Sequence, residues 1–189
     1  MKEQLKIDFE KILKNSNFSK KDIEIKKNHL NRFLKSGLPS KKLENWKFSD
    51  LNQIIKKNIG DLDFYNDYSL HNKVENSIFV DGLEHNKIVF INGRIEIIDF
   101  NYEEKNKVEI LDDIELNNDI DSDNSLVNLN TAFTNKQLKI VIKKNYSLKK
   151  PLIIYHTTNK KIKSKNINLR LDFLLEENTC LKLVDIFND

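Results

Sequence analysis

The stretch I-V-F-I-N-G-R-I-E-I-I, residues 88 to 98, is where the chain changes its physical character. Two β-branched runs flank Asn92-Gly93, a pair that tolerates positive φ at both central positions of a tight turn. The segment Lys87 to Phe100 is therefore predicted to be a β-hairpin. On its N-terminal side the apolar spacing is helical, and on its C-terminal side it alternates. The reading of the fold works outward from this switch.

Upstream, Leu5, Phe9, Ile12 and Leu13 fall on one face of a helix. Ser19 and Asp22 form a capping pair before a second periodic segment with Ile23, Leu30, Phe33 and Leu34. Gly37 is expected at C′ in the left-handed conformation. Leu38 should then fold back on Phe33, and Pro39 prevents the helix from resuming. Trp46 and Phe48 lie in a short segment, Lys41 to Leu51, and Ser49 is expected to cap a third helix using Leu51, Ile54 and Ile55. Trp46 reads as a packing anchor, whose loss should cost about 3–5 kcal/mol. Residues 1–60 are thus read as a helical domain and 61–86 as a linker.

Downstream, the acidic stretch Leu111 to Asn124 reads as loop with short ordered pieces. Leu138, Ile140 and Ile142 alternate with polar positions, and Leu152 to Tyr155 is a continuous run after Pro151. Leu169, Leu171, Phe173 and Leu175 alternate again, followed by Leu181, Leu183 and Phe187. Taken two at a time, the strand starts near 138, 152, 169 and 180 are spaced by 31 and 28 residues. That spacing suits a flattened coil whose successive strands lie on opposite sheets. An antiparallel meander or sandwich fits the periodicity equally well. The ending L-K-L-V-D-I-F-N-D, 181 to 189, follows a strand pattern with no closing repeat. It reads as a truncated solenoid, either part of a longer protein or completed by a partner.

The chain has 189 residues, 32 basic and 29 acidic, for a net charge of +3. Basic pairs such as Lys20-Lys21, Lys26-Lys27 and Lys160-Lys161 alternate with acidic stretches such as Asp112 to Asp123, a solvated surface and not a nucleic-acid face. No apolar run is long enough for a membrane span or a signal peptide, so a cytoplasmic protein is expected. The single cysteine, Cys180, allows no internal disulfide and no multi-cysteine metal site. It sits at the start of a strand pattern and is expected to be a small core residue. His29, His71, His85 and His156 lack the i, i+4 spacing of a helical metal site. No G-x-x-x-x-G-K-[ST] phosphate loop is present.

The stretch N-R-F-L-K-S-G-L-P-S-K-K-L-E-N-W-K-F-S-D-L, residues 31 to 51, resembles the N-terminal signature of the SufD family. Arg32, Phe33, Gly37, Leu38, Pro39, Ser40, Lys42, Glu44, Trp46, Lys47, Phe48, Ser49 and Leu51 sit in step with that pattern. A second block, S-L-V-N-L-N-T-A-F-T at 125 to 134, resembles the family's lead-in to its β-helix through Leu129, Asn130, Thr131, Ala132 and Phe133. I-V-F-I-N-G-R at 88 to 94 is similar to the family's hairpin, and Lys150-Pro151-Leu152 to its strand start. After L-N-T-A-F the family usually has Asp-Gly, where this chain has Asn135-Lys136-Gln137, which affects the local turn type.

The resemblance implies an α+β protein: a small N-terminal helical domain, then the first coils of a right-handed, flattened, two-sheet parallel β-helix over 87–189. It implies a non-enzymatic scaffold subunit of the SUF system, working with SufB and the ATPase SufC to assemble and transfer nascent iron–sulfur clusters. The cysteine desulfurase that supplies sulfur is an indirect partner; nucleic acid and membrane are not partners. The family's SufC contacts and cluster-related residues lie beyond the segment matched here. No catalytic, cofactor-binding or metal-binding residue is therefore carried over, and the cluster is handled transiently by the full complex. The alternatives are a SufB-like paralogue and a carbohydrate-active β-helix protein. The latter needs clustered carboxylates on one solenoid face, and Asp112–Asp123 is the one such cluster in the sequence.

Overall fold

Ser19 starts the best-defined helix. Its hydroxyl accepts from the Asp22 amide at 3.1 Å and donates to the Asp22 carboxylate at 2.6 Å, satisfying one of the helix's orphan donors. This capped helix is α2, Lys20–Ser36, and it follows α1, Lys2–Asn15. In the computed structural model, residues 2–58, 62–64, 74–112, 123–134, 137–158, 162 and 165–188 are described. Their contacts divide the chain into two units. The first draws on residues 1–66, 114–137 and 164–170, and the second on 67–113, 138–163 and 171–189. Ser125–Phe133, within the range read as the start of the β-helix, is a helix that packs on α2 and belongs to the first unit.

The first unit is helical. Besides α1 and α2 it holds α3, Leu51–Asn58, and α4, Ser125–Phe133. Leu5, Phe9 and Ile12 from α1, Leu30 and Phe33 from α2, Ile55 from α3 and Leu129, Ala132 and Phe133 from α4 form one core. Each large side chain buried there contributes about 1.5–3 kcal/mol. Phe133 stacks on Phe64 at 3.7 Å between centroids and meets Phe9 edge-on at 6.0 Å. Leu62 and Phe64, in the stretch read as a linker, are core residues. Their run of polar neighbours hid two apolar anchors. Lys165 and Asp63 pair beside a parallel bridge between Phe64 and Asn166.

Three local expectations for this unit are corrected. Gly37 has the positive φ expected of it, 71°, but its ψ of −166° is extended and not left-handed helical. The extended ψ sends Leu38 into the core beside Phe33, and the Gly37 N–H donates to the Phe33 carbonyl at 2.7 Å. The cap of α3 is Asp50, not Ser49: Asp50 Oδ1 accepts from the Gln53 amide at 3.0 Å. A carboxylate there also meets the positive end of the helix dipole. Trp46 ends a short 3-10 turn, Glu44–Trp46, and is only partly buried, outside the core cluster.

The second unit carries two small sheets. Strands β1, Asn86–Ile91, and β2, Arg94–Asp99, form the hairpin expected from Asn92-Gly93, with φ of 53° and 79° at the two turn residues. The remaining strands are β3, Val108–Asp112; β4, Gln137–Ile142; β5, Leu152–Thr157; β6, Arg170–Leu175; and β7, Leu183–Asn188. One sheet has the order β2-β1-β5-β7 and the other β3-β4-β6. β1, β5 and β7 run parallel. From β4 onward, consecutive strands alternate between the two sheets and never pair with each other, which is not the pattern of a meander.

β1 and β5 are closed to solvent on both faces, as parallel strands in a covered sheet are. Val89, Ile91, Ile153 and Tyr155 pack under Val74, Ile78 and Phe79, while Ile88, Phe90, Leu152 and Ile154 are buried on the opposite face. β7 differs. Leu183, Val184 and Phe187 are exposed, Phe187 to 73%. Cys180 is exposed too, bridging to Ser147 just before β7, so the expected core role is overturned. The strand begins at Leu183 and not near 180.

Candidate functional site

Two stretches far apart in the sequence, 31–51 and 125–134, meet in the core of the first unit. Phe33, Leu38, Leu129, Ala132 and Phe133 share one cluster, and Leu51 packs against it. Pro39 and Thr131 are also buried. Gly37 and Asn130 are partly buried, and Asn130 Nδ2 donates to the Leu169 carbonyl at 3.0 Å. Arg32, Glu44 and Lys47 lie at the surface. The apolar members of both blocks therefore act as packing residues.

Between α2 and α4 runs a polar seam. Lys26 has 0% exposure. Its Nζ donates to the carbonyls of Thr131 at 3.4 Å, Ala132 at 3.5 Å and Thr134. These are the orphan acceptors at the C-terminal end of α4, where a cation is also favoured by the helix dipole. The ring of Phe18 lies 4.4 Å from Nζ. Burial brings the Lys26 ammonium down from 10.5 to about 7, with the Asp22 charge opposing that shift. One turn on, His29 Nδ1 donates to Asn128 Oδ1 at 2.7 Å, and Asn128 Nδ2 donates to the Asn124 carbonyl at 3.2 Å. The second bond fixes which way the Asn128 amide points, and with it the His29 tautomer. Burial lowers the His29 pKa; the Asn128 bond opposes this and the Arg32, Arg170 and Lys26 charges add to it.

Sequence reasoning missed Lys26 and His29. They occupy the same helical stripe as Leu30 and Phe33, three and four residues apart, so the stripe itself was the available signal. Their polar character made them read as surface.

In the second unit Glu103 is the hub. Its carboxylate accepts from Tyr146 Oη at 2.6 Å, Asn86 Nδ2 at 2.7 Å and the amides of Lys149 at 3.0 Å and Lys150 at 3.2 Å. Burial works to raise its pKa, but these four bonds outweigh burial and hold it below the usual carboxylate value. Nearby, His85 Nδ1 donates to the Leu83 carbonyl at 2.6 Å, leaving Nε2 to accept from Tyr155 Oη at 2.8 Å. Tyr155 Oη in turn accepts from the Val80 amide at 3.1 Å. The chain of bonds pins residues 80–85 over β5.

His156 sits in an aromatic ladder across three strands. It stacks on Phe90 at 5.3 Å and on Phe187 at 4.5 Å, in register in both cases. Its Nε2 lies 2.7 Å from Asp185 Oδ1, without hydrogen-bond geometry. The histidines described are thus each held in a separate local network. His71 and residues 113–122 of the acidic stretch lie outside the described residues. Among those described, no group of three or more His, Cys, Asp or Glu is placed to hold a metal ion, and no helix is long and apolar enough to cross a membrane.

One surface segment stands apart from these closed networks. The connection from α2 to α3 exposes Leu43, Phe48 and, at the start of α3, Ile54, with Trp46 partly buried among them. Asp50, Asn52, Gln53, Lys56 and Lys57 line an open depression beside it. What the described arrangement offers chemically is rigid packing, internal clips, the exposed apolar side chains of β7 and this apolar and basic surface. No protein-family model matches the chain, and no curated protein matches it either.

Proposed function

We propose that the chain is a non-enzymatic scaffold segment of the SUF iron–sulfur cluster assembly machinery, corresponding to the N-terminal portion of a SufD-type subunit. The observation that carries this reading is the run of thirteen residues in step with the SufD signature between Arg32 and Leu51. The physical roles of those residues support it. Phe33, Leu38 and Leu51 pack into the same cluster as Leu129, Ala132 and Phe133 of the second matching block, so the two blocks make sense as one structural element. The alternation of β4 to β7 between two sheets, with β5 and β7 parallel and in register from Leu152 to Leu183, supports a flattened β-helix continuing from that element. On this reading the chain supplies shape to a complex with SufB and the ATPase SufC in the cytoplasm. It binds no cofactor of its own and passes the cluster, as cargo, through the assembled complex.

The test is to tag the N-terminus of the chain at its own chromosomal locus, purify it under native conditions and identify what accompanies it. Joint recovery of a SufC-type ATPase and a SufB-type subunit is expected. A well-expressed bait that brings down neither overturns the assignment.

A further inference from the structure

We propose that the turn between α2 and α3 is a docking surface for a net-acidic polypeptide segment that inserts an apolar anchor. This goes beyond the scaffold assignment and does not depend on it.

Phe48 is 91% exposed, the most exposed large apolar side chain among the described residues. Leu43 and Ile54 are exposed as well, and Trp46, between them in the sequence, is partly buried. Single exposed apolar residues are ordinary. Three in one short segment, with the partly buried Trp46 among them, have instead the composition of an interface centre, where Trp and Phe anchors concentrate binding energy.

The segment is also held in shape. Leu43 N–H donates to the Ser40 carbonyl at 3.0 Å, Trp46 N–H to the Leu43 carbonyl at 2.9 Å and Ser49 N–H to the Trp46 carbonyl at 2.9 Å, after which Asp50 caps α3. Association with a preformed turn has a smaller ordering cost than association with a floppy one.

Charge selects the partner. Residues 41–57 hold five lysines against Glu44 and Asp50, a net charge of +3, equal to that of the whole chain. Lys41 lies 4.0 Å from Asp50 and Lys47 3.8 Å from Glu44. Lys42, Lys56 and Lys57 are exposed and make no ion pair among the described residues. The excess positive charge faces solvent here while the rest of the chain balances. Phosphate-rich ligands fit less well, because the exposed aliphatic side chains of Leu43 and Ile54 would meet no apolar counterpart on a phosphodiester backbone or a lipid headgroup. An apolar centre with a mixed-charge rim and a net positive excess is the complement of a protein segment bearing Asp and Glu around a Leu or Phe anchor.

Trp46 is the only tryptophan, so its fluorescence reports this surface alone. The chain is titrated with a short synthetic peptide carrying Leu and Phe at helical spacing and Glu elsewhere. The same peptide with Lys in place of Glu, phosphatidylglycerol vesicles and oligo(dT) serve as competing probes. A saturable Trp46 shift with the acidic peptide is expected, weakened at least about tenfold by Phe48→Ala and by Lys56→Glu/Lys57→Glu. Phe48 is too exposed for its removal to unfold the chain, and a matching far-ultraviolet circular dichroism spectrum checks this. No saturable shift, equal binding of the lysine peptide, or preferential binding of vesicles or oligo(dT) overturns the proposal, as does an unchanged affinity in Phe48→Ala.

Discussion

Replacing Lys26 by methionine tests the seam between α2 and α4 directly. The methionine keeps the length of the side chain but removes the donor that serves Thr131, Ala132 and Thr134 and the charge that burial disfavours. Two effects therefore oppose each other. Three acceptors lose a partner, at about 1–3 kcal/mol for each one left unsatisfied, while the cost of burying an ammonium disappears. Their sum has no obvious sign at one pH, but its pH dependence does. The folded-state pKa of about 7 lies below the unfolded value of 10.5, so between them the unfolded chain binds more protons and stability rises with pH. From pH 7 to 9 the wild type should gain about 2 kcal/mol relative to Lys26→Met, close to the limit of 1.4 kcal/mol per pH unit. Urea denaturation at the two pH values, followed by far-ultraviolet circular dichroism, measures that difference. Parallel pH dependence in the two proteins would show that Lys26 titrates alike folded and unfolded, and the reasoning fails.

Three further outcomes follow from the packing and hydrogen bonding. Glu103→Gln exchanges an acceptor of four bonds for an amide that must turn a donor toward part of the network, at a cost of about 2–4 kcal/mol in urea denaturation. Because the folded-state pKa of Glu103 lies below 4.5, its stabilisation is present above 4.5 and is lost as pH falls through the folded value; an acid titration of the variant should lack that phase. Gly37→Ala meets no atom within 4 Å of the added methyl, so its cost is purely that of a φ of 71° at ψ −166°, about 1–3 kcal/mol, and a loss below 0.5 kcal/mol would contradict the backbone assignment. Phe33→Ala should cost about 3–5 kcal/mol and Trp46→Ala clearly less, because Phe33 is in the core cluster and Trp46 is not; equal losses by thermal denaturation would restore Trp46 as a core anchor.

The reading of the sequence was most reliable where the physics is local. The Ser19 cap needs only a hydroxyl three residues before the Asp22 amide, and the hairpin only two residues that accept positive φ. Strands β4 and β5 declared themselves by alternation and by an unbroken apolar run. The reading went astray where a neighbour distant in sequence decides the outcome. Lys26 and His29 look like surface residues of an amphipathic helix until α4 arrives with three bare carbonyls and the Asn128 amide. Leu62 and Phe64 look like parts of a polar linker until Phe133 stacks on Phe64. Cys180 and Trp46 failed in the opposite sense: among the described residues Cys180 is exposed and Trp46 only partly buried.

By itself the sequence determined the α+β class, the caps and the hairpin turn, because side-chain shape and φ preference act over a few bonds. It also contains the signature on which the proposed function rests. Only the tertiary structure decided that the two matching blocks share one core, that β4 to β7 alternate between two sheets and that Phe48 is left outside. Burial depends on which surfaces meet, and residues a hundred positions apart meet only after the chain has folded.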